Sequence, residues 1–381
     1  MIPYGKHLVD EDDINAVVDV LRNQFLTQGS VVPQFEQALC DYTGASYCVA
    51  VNSATSGLHV ACLAAGISAG DGVWTVPNSF VASANCALYC GASIDFVDID
   101  PLTRNIDINA LEKKLHYAAN QNCLPKALIV VHFSGLSCEM QLIYKLTQMY
   151  SIILIEDAAH GLGGSYQKSK IGSCVYSDMA VLSFHPVKSI TTAEGGAVLT
   201  NQSQLHEKIK LFAKHGVSKD SSQYQGASHG PWYYQQLELG YNYRLSDIHA
   251  ALGLSQLTKL DVFIQRRAEL AKGYDQALAN LPLKLPVVES HSKSAWHLYM
   301  VELTHHDRLD VYQQLHKKGV GVNVHYIPIH LQPFYQKIGF KQGDFPVSEQ
   351  FYKNALTLPM FPGLTETEQL KVVDVLHEVL L

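Results

Sequence analysis

The segment Asp178-Met-Ala-Val-Leu-Ser-Phe-His-Pro-Val-Lys-Ser-Ile-Thr-Thr-Ala-Glu-Gly-Gly-Ala-Val-Leu199 predicts two strands joined by a polar turn. Apolar runs from Met179 to Phe184 and from Ala197 to Leu199 form the strands, and a proline and a Gly-Gly pair interrupt the pattern between them. Lys188 lies in that turn. A lysine held on such a frame loses its proton more readily when it is partly buried, and the free amine then attacks a carbonyl to form a Schiff base.

Composition describes an ordinary globular protein. The chain has 381 residues, of which 47% are hydrophobic and 17% charged, and its net charge is −7. Because 35 acidic residues outnumber 28 basic ones and no basic run is present, we expect no nucleic-acid partner. The first residues lack a basic region followed by an apolar core, and no apolar run approaches the ~20 residues of a membrane helix. We therefore expect a cytoplasmic protein without membrane association.

The eight cysteines show no pattern typical of a bound metal or of paired disulfides. They lie between Cys40 and Cys174 without CxxC pairs or a His-x-x-x-His partner. We expect reduced thiols in the core and no metal site.

The pattern from residue 47 to residue 200 predicts alternating strands and helices. Predicted strands cover residues 47–51, 72–76, 94–97, 127–132, 152–155, 178–184 and 197–200. Predicted helices cover residues 55–65, 79–90, 108–119 and 140–149, after two earlier helices that begin near Asp10 and Pro33. Strands that are apolar throughout and alternate with helices are typical of a mostly parallel sheet covered on both faces. The fold class is α/β.

The second half of the chain predicts a smaller α/β domain. Residues 216–235 have no clear period and are interpreted as a surface loop. Ser246 or Asp247 then caps a long helix that runs to about Asn280, and we place the domain boundary at its start, between residues 1–247 and 248–381. Beyond it we predict strands at 297–302 and 320–325 and helices at 307–318, 347–356 and 365–380.

Two strand ends carry side chains suited to an anionic cofactor. In Asn52-Ser-Ala-Thr-Ser-Gly57 a strand ends and a helix begins, so backbone N–H groups and hydroxyls lie at a positive helix end, where phosphate binds. A plain Ser/Thr helix cap is the alternative. Asp157 falls just past an apolar strand, at the end where parallel sheets bind ligands, and it would suit a protonated pyridine nitrogen. A capping role or a metal ligand is the alternative there.

Two aromatic side chains near these strand ends are weaker candidates. His160 follows Asp157 and could meet the phenolic oxygen of a pyridine cofactor, although a single histidine is more often a core residue. Phe80 also follows a strand and could stack on a ring, or simply belong to the core. Together with Lys188, these residues occur in the order expected for a pyridoxal-phosphate enzyme.

Several longer motifs make the resemblance specific. The chain resembles DegT/StrS-type nucleotide-sugar aminotransferases from Tyr4 to His330, and it does so in the segments Leu26-Thr-Gln-Gly29, Asn52 to Gly57, Glu156-Asp-Ala-Ala-His160, Ser183 to Lys188 with Glu194-Gly-Gly196, and Asn242-Tyr-Arg-Leu245. The Thr-Gln-Gly turn, the run from Ser183 to Gly196 and His325-Tyr-x-Pro-Ile-His330 are most similar to family members that aminate C4 of a UDP-linked 4-keto-6-deoxy-N-acetyl sugar in pseudaminic-acid biosynthesis. The resemblance implies a fold-type I transferase with a seven-stranded sheet and bound pyridoxal 5′-phosphate.

The resemblance also implies roles for individual residues. Lys188 would bind the cofactor covalently and then move protons, Asp157 would pair with the ring nitrogen, Phe80 would stack on the ring and His160 would lie near its phenolic oxygen. The phosphate would be held by Ala54, Thr55 and Ser183, with Asn242 reaching it from the second subunit of a homodimer. Residues that match sugar-nucleotide contacts are Tyr4, Gln24, Phe25, Leu26, Thr27, Asn323, Val324, His325 and Tyr326.

The implied activity is transfer of an amino group from L-glutamate to the C4 ketone of the UDP-linked sugar. Many family members have Gly where this chain has Ala193, and some have Gln at the position of His160. A sister group of dehydratases has His in place of the lysine, so Lys188 favours transamination. The alternatives are another C4 or C3 nucleotide-sugar aminotransferase, for example of bacillosamine or perosamine type, or a non-sugar enzyme of the same fold. A third alternative is a cofactor-dependent regulator or scaffold, which loss of the lysine would indicate, but Lys188 is present.

Overall fold

Seven apolar strands form the central sheet of the computed structural model, which describes residues 1–381. They are β1 (Tyr47–Val51), β2 (Gly72–Thr75), β3 (Ser93–Phe96), β4 (Ala127–Val131), β5 (Ile153–Asp157), β8 (Met179–Ser183) and β9 (Gly196–Thr200). Short strands complete the set: β6 (Ser165–Tyr166), β7 (Ser169–Lys170), β10 (Val217–Ser218), β11 (Gln235–Gln236), β12 (Leu283–Lys284), β13 (Ser292–Lys293), β14 (Tyr299–Leu303) and β15 (Ala355–Leu358).

Thirteen helices surround the strands. They are α1 (Glu11–Asn23), α2 (Val31–Thr43), α3 (Ala54–Ala64), α4 (Ala82–Tyr89), α5 (Ile108–Asn120), α6 (Met140–Met149), α7 (Ser203–Ala213), α8 (Asp247–Leu257), α9 (Leu260–Leu278), α10 (Arg308–Lys317), α11 (Pro333–Lys337), α12 (Pro346–Asn354) and α13 (Glu366–Leu380). No helix combines the length and the apolar character needed to cross a membrane.

The strand order of the central sheet is β1-β9-β8-β5-β4-β2-β3. Pairs β2–β3, β2–β4, β4–β5 and β5–β8 are parallel, whereas β9 runs antiparallel to both β8 and β1. Strands β4, β8 and β9 are buried along their whole length because helices cover both faces of the sheet. The predicted mostly parallel α/β sheet is therefore confirmed.

Alternate side chains of each strand enter different cores. Val181 of β8 and Val198 of β9 join a cluster with residues of α3 and α4, whereas Ala180 and Leu182 join a second cluster with residues of α2 and α8. This double coverage fixes the strand ends, and the functional side chains are attached to those ends.

A second, smaller sheet has the order β12-β14-β15 and is antiparallel. Its core includes Tyr299, Leu356 and Leu270 of α9, together with residues of α10 and α13. The N-terminus also joins this part of the chain, because Ile2 accepts a hydrogen bond from the backbone N–H of Gly321 at 2.7 Å and donates one to the carbonyl of Gly319 at 2.9 Å.

The division at residue 247 stays a prediction. Helix α8, which begins at Asp247, packs on α1 and α2 beside the large sheet. Helix α9 contributes to both parts of the chain. Its residue Ile264 packs in a core of the large sheet, whereas Leu270 packs in the core of the smaller sheet.

The structure corrects several predicted elements. The single helix predicted from residue 247 to about 280 is two helices, with Thr258 and Lys259 between them. Residues 320–325 form no strand and make only isolated bridges at Val320 and Asn323. The predicted helix 347–356 ends at Asn354 and is followed by strand β15, and the surface loop 216–235 contains the short strands β10 and β11. Helix α7 was not predicted.

Candidate active site

A cavity of about 470 Å³ lies at the carboxyl ends of the central strands. Its wall includes Val131, Asp157 and Ser183, which end β4, β5 and β8, and the first residues of α3. The opposite wall comes from the second half of the chain, including His297 and the segment from Asn323 to Tyr326. The cavity therefore lies between the large sheet and the C-terminal part, where parallel α/β sheets bind their ligands.

Lys188 projects into this cavity from the turn that joins β8 to β9. Backbone hydrogen bonds close the turn, from Phe184 N–H to Gly195 C=O and from Thr192 N–H to Phe184 C=O, both at 2.9 Å. Gly196 allows this approach, because a Cβ there would lie 2.6 Å from the backbone nitrogen of Ala54. The turn is thereby held against the N-terminus of α3.

Burial lowers the pKa of Lys188 to about 8, and the negative charge of Asp157 partly opposes this shift. About one tenth of the side chain is then the free amine at pH 7, far more than for a lysine with the ordinary pKa of 10.5. The free amine is the form that reacts with a carbonyl and accepts a proton.

Asp157 is fixed by hydrogen bonds but has no cationic partner in the chain. Its Oδ2 accepts from the hydroxyl of Ser83 at 2.6 Å, and its Oδ1 accepts from the backbone N–H of Ala159 at 3.2 Å. The residue is 6% exposed and borders the cavity. A buried carboxylate without a positive partner is costly, so a cationic group in the cavity would complete this site. The ring nitrogen of pyridoxal phosphate fits that requirement.

The N-terminus of α3 offers donors for an anion. Ser53 caps the helix and its hydroxyl accepts from Ser56 N–H, whereas the backbone N–H groups of Ala54 and Thr55 donate to no group of the chain. The hydroxyls of Thr55 and Ser183 border the same cavity. Free N–H groups at a positive helix end beside hydroxyls are the donor set that a phosphate requires.

His160 borders the cavity with a defined tautomer. Its Nδ1 accepts a hydrogen bond from the backbone N–H of Ser134 at 3.3 Å, so the neutral ring carries its hydrogen on Nε2, which lies 3.3 Å from the hydroxyl of Tyr326. Burial and the nearby Lys188 lower the pKa of His160 well below its usual value. The ring of Phe80 stands at the cavity mouth, 58% exposed and 6.3 Å from the ring of Tyr326.

The C-terminal wall brings together predicted residues from distant parts of the sequence. Tyr4 and His325 have ring centroids 5.4 Å apart, and His325 Nδ1 lies 2.8 Å from the hydroxyl of Thr357. Burial and Lys188 lower the pKa of His325 to about 4, so its ring is neutral at pH 7. Asn323, Val324 and Tyr326 border the cavity beside them.

The remaining predicted residues lie outside this cavity. Gln24, Phe25, Leu26 and Thr27 are exposed in the turn after α1, and Asn242 is exposed before α8. The turn is held to the start of α8, because the Leu26 carbonyl accepts from Asp247 N–H at 3.0 Å and the Asp247 carboxylate accepts from Gly29 N–H at 2.8 Å. Asn242 instead contacts Lys214 and Asn52. We call the exposed residues Gln24 to Thr27 the turn surface.

Several cavity residues were not predicted from the sequence. His297 borders the cavity and lies 3.5 Å from the amine of Lys188, and His185 and Glu194 border it beside the lysine turn. Ser83, which holds Asp157, lies in a helix of small apolar residues, where nothing in the sequence distinguishes it from a packing residue. Away from the cavity, Glu139, Glu289 and His291 bring metal-ligating atoms together at the surface.

The comparisons with known proteins agree on a family. The DegT/DnrJ/EryC1/StrS aminotransferase family matches residues 7–377. A Campylobacter jejuni protein (strain 81-176) named UDP-4-amino-4,6-dideoxy-N-acetyl-beta-L-altrosamine transaminase is 39% identical over 387 residues, which cover 100% of this chain and 98% of the relative. The Bacillus subtilis spore coat polysaccharide biosynthesis protein SpsC is 36% identical over 99% of this chain and 97% of its own length.

Solved structures show the same fold. Helicobacter pylori PseC, an aminotransferase of pseudoaminic acid biosynthesis, has a TM-score of 0.89 at 34% identity, covering 100% of this chain and 99% of that one. The sugar aminotransferase Spr1654 from Streptococcus pneumoniae, described as putative and solved in its PMP form, has a TM-score of 0.91 at 27% identity, covering 100% and 99%.

Proposed function

The chain belongs to the DegT/DnrJ/EryC1/StrS aminotransferase family and is a pyridoxal-phosphate-dependent sugar aminotransferase, and from this premise we propose that it aminates C4 of a UDP-linked 4-keto-6-deoxy-N-acetylhexosamine, as in pseudaminic-acid biosynthesis. The observation that carries the proposal is the full-length similarity to transaminases named for that sugar series, at 38% and 39% identity. We further propose L-glutamate as the amino donor.

The cofactor would be held at three places of the cavity. Ala54, Thr55 and Ser183 would bind its phosphate, because they present the free N–H groups and hydroxyls described above. Asp157 would pair with the ring nitrogen, with Phe80 and His160 beside the ring. Bound pyridoxal phosphate supplies an electron-accepting ring and the aldehyde carbon that carries the amino group between the two substrates.

Lys188 would perform the proton transfers. In the first half-reaction its amine removes the proton from Cα of the amino donor, and in the second it returns a proton to C4 of the sugar. Because the amine is attached to one wall of the cavity, the proton arrives on one face, which fixes the configuration at C4. An amine with a pKa of about 8 is suited to both directions of transfer near neutral pH.

We propose that the turn surface completes the cavity of a second copy of the chain. The observation behind this proposal is that the turn surface is exposed and lies outside its own cavity. Asn242 is also exposed and outside that cavity, and it would serve the same second site. The active enzyme would then be a homodimer with shared sites.

A panel of UDP-keto sugars incubated with L-glutamate tests the substrate. We expect mass spectrometry to show a product in which NH₂ replaces the keto oxygen, and proton NMR to place the amine at C4. Amination at C3, or of a different ring stereoisomer only, would instead support another nucleotide-sugar aminotransferase among the alternatives.

A second comparison separates sugar from non-sugar chemistry. The pyridoxamine form is mixed with either a UDP-4-keto sugar or a simple 2-oxo acid. The sugar should change the absorbance of the cofactor at micromolar to millimolar concentration, and a response to non-sugar 2-oxo acids alone would contradict the proposal.

A further inference from the structure

His297 lies directly beside the amine of Lys188. Its Nε2 is 3.5 Å from Nζ of Lys188, and its ring centroid is 4.3 Å from that of His160. The residue is 3% exposed and borders the cavity. It lies two residues before β14 in the C-terminal part, so the two residues in contact come from opposite walls of the cavity.

The backbone of His297 is held rigidly. The buried guanidinium of Arg267 donates from Nη1 to the carbonyls of Trp296, His297 and Met360, at 3.1, 3.2 and 3.0 Å. Arg267 is 1% exposed and has no carboxylate partner, so these carbonyls are its acceptors. The backbone that carries the imidazole is thereby anchored to α9.

The ring has one hydrogen-bonding opportunity within the chain. Its Nδ1 is buried and has no partner, so only Nε2 has a polar group near it, and that group is the amine of Lys188. A lysine ammonium has three donors and no acceptor, so contact with the ammonium requires the tautomer in which Nε2 is bare. The ring then acts as an acceptor for Lys188.

The charges around His297 keep the ring neutral. Burial, followed by the nearby His160, Lys188, Arg267 and His325, lowers the pKa of His297 well below its usual value. Asp157 is the carboxylate that acts on Lys188, and Glu194, His185 and the hydroxyl of Tyr326 also border the cavity. A neutral ring among basic groups accepts a hydrogen bond but does not take the proton away from the lysine.

We propose that His297 is a positioning residue for Lys188, accepting a hydrogen bond at Nε2 from the amine whenever that amine is not bonded to the cofactor. The inference deepens the proposed function and rests on it for the role in turnover. When Lys188 has removed the substrate proton, it is an ammonium, and the ring stabilises that form and keeps it directed toward the reacting carbon.

The test uses two variants at the same position. His297→Leu removes the acceptor, whereas His297→Gln retains a carbonyl oxygen that accepts from an ammonium. The matched control is His59→Gln, since His59 is also 3% exposed, also has a ring nitrogen without a partner, and does not border the cavity. Circular dichroism and gel filtration first establish that each variant is folded.

The first measurement does not depend on transamination. Cofactor-free protein is labelled with acetic anhydride from about pH 6 to about pH 10, and the Lys188 peptide is quantified against that of the exposed Lys145. Because the hydrogen bond stabilises the ammonium, its loss in His297→Leu should move the labelling midpoint of Lys188 to lower pH. The midpoint should change much less in His297→Gln and not at all in His59→Gln.

The second measurement follows turnover. Exchange of the Cα deuterium of L-glutamate with solvent should slow about 10- to 100-fold in His297→Leu, the range expected for one hydrogen bond to a charged group, and recover substantially in His297→Gln. A labelling midpoint in His297→Leu equal to that of the wild type would overturn the inference. Absence of transamination in the wild type, with the labelling shift present, would refute the proposed function and leave the contact between His297 and Lys188 established.

Discussion

The hydroxyl of Ser83 donates a 2.6 Å hydrogen bond to Oδ2 of Asp157, and it is itself 2.6 Å from the hydroxyl of Ser79. The carboxylate at the end of β5 is thus oriented by the first turns of α4. Asp157 has no basic partner of its own, so its alignment toward the cavity depends on this serine and on Ala159 N–H.

Replacement of Ser83 by alanine should weaken cofactor binding about 10-fold, because one hydrogen bond to a charged group is lost. The dissociation constant for pyridoxal phosphate, measured by titration of the cofactor-free protein, tests this. Ser79→Ala is the control, since it leaves the bond from Ser83 to Asp157 intact. Equal affinities of Ser83→Ala and wild type for pyridoxal phosphate would show that the hydrogen bond from Ser83 does not align Asp157 for cofactor binding.

Uptake of pyridoxal phosphate by the cofactor-free protein should accelerate as pH rises through about 8. Burial lowers the pKa of Lys188 to that value, and only the deprotonated amine attacks the aldehyde, so the rate increases while the ammonium is removed and levels off above it. Stopped-flow absorbance in amine-free buffer measures the rate. A midpoint near the ordinary lysine value of 10.5 would contradict a buried amine. Lys188→Ala should not develop the absorbance band of the lysine-bound cofactor at any pH.

Ala193→Gly should stabilise the protein by about 1 kcal/mol. Ala193 has φ of 66° and is exposed, so its Cβ is strained in a left-handed conformation without contributing packing. Urea unfolding of the cofactor-free protein measures the effect. The matched control is Ala16→Gly within α1, where the same change should destabilise by about 1 kcal/mol. Destabilisation by both changes would contradict strain at Ala193.

Asp247→Asn should lower the free energy of unfolding by about 2–3 kcal/mol. The buried carboxylate accepts hydrogen bonds from the backbone N–H groups of Gly29, Val31 and Val32. In asparagine an NH₂ group replaces one of the two oxygens, so a side-chain donor would face a backbone donor. Hydrogen exchange should also become faster at the backbone amides of these three residues, because their hydrogen bonds to the carboxylate are lost. The control Asp261→Asn changes an exposed residue that contacts only the hydroxyl of Tyr42, and it should have little effect on either measurement.

Mixed dimers test whether active sites are shared. If Asn242 serves the cavity of the second copy, Lys188→Ala and Asn242→Ala chains should each be impaired alone. Together they should recover about one quarter of wild-type activity, because random pairing leaves one intact site in half of the dimers. Lys188→Ala mixed with Ser183→Ala is the control and should recover nothing, since both residues belong to the same cavity. No recovery in the first mixture would place Asn242 outside the partner's site.

Local sequence patterns predicted the elements of the large sheet because each strand is short, apolar and bounded by clear turn residues. Lys188, Asp157 and the start of α3 could be identified for the same reason, since each follows directly from a strand end. A short apolar run fits a helix end and a strand equally well, and there the sequence did not predict the correct element. Ala355 and Leu356 were predicted as the end of a helix, but they belong to strand β15, which pairs with Tyr299 to Glu302.

The sequence by itself determined the α/β class, the family resemblance and the residues attached to the strand ends. Tertiary structure alone decided that His297 lies beside Lys188, that Ser83 holds Asp157, and that Gln24 to Thr27 lie apart from their own chain's cavity. The physical reason is the distance along the chain. Neighbouring residues specify a strand or a helix through short-range periodicity, whereas a contact between residues 188 and 297 exists only after two separate cores have packed against each other.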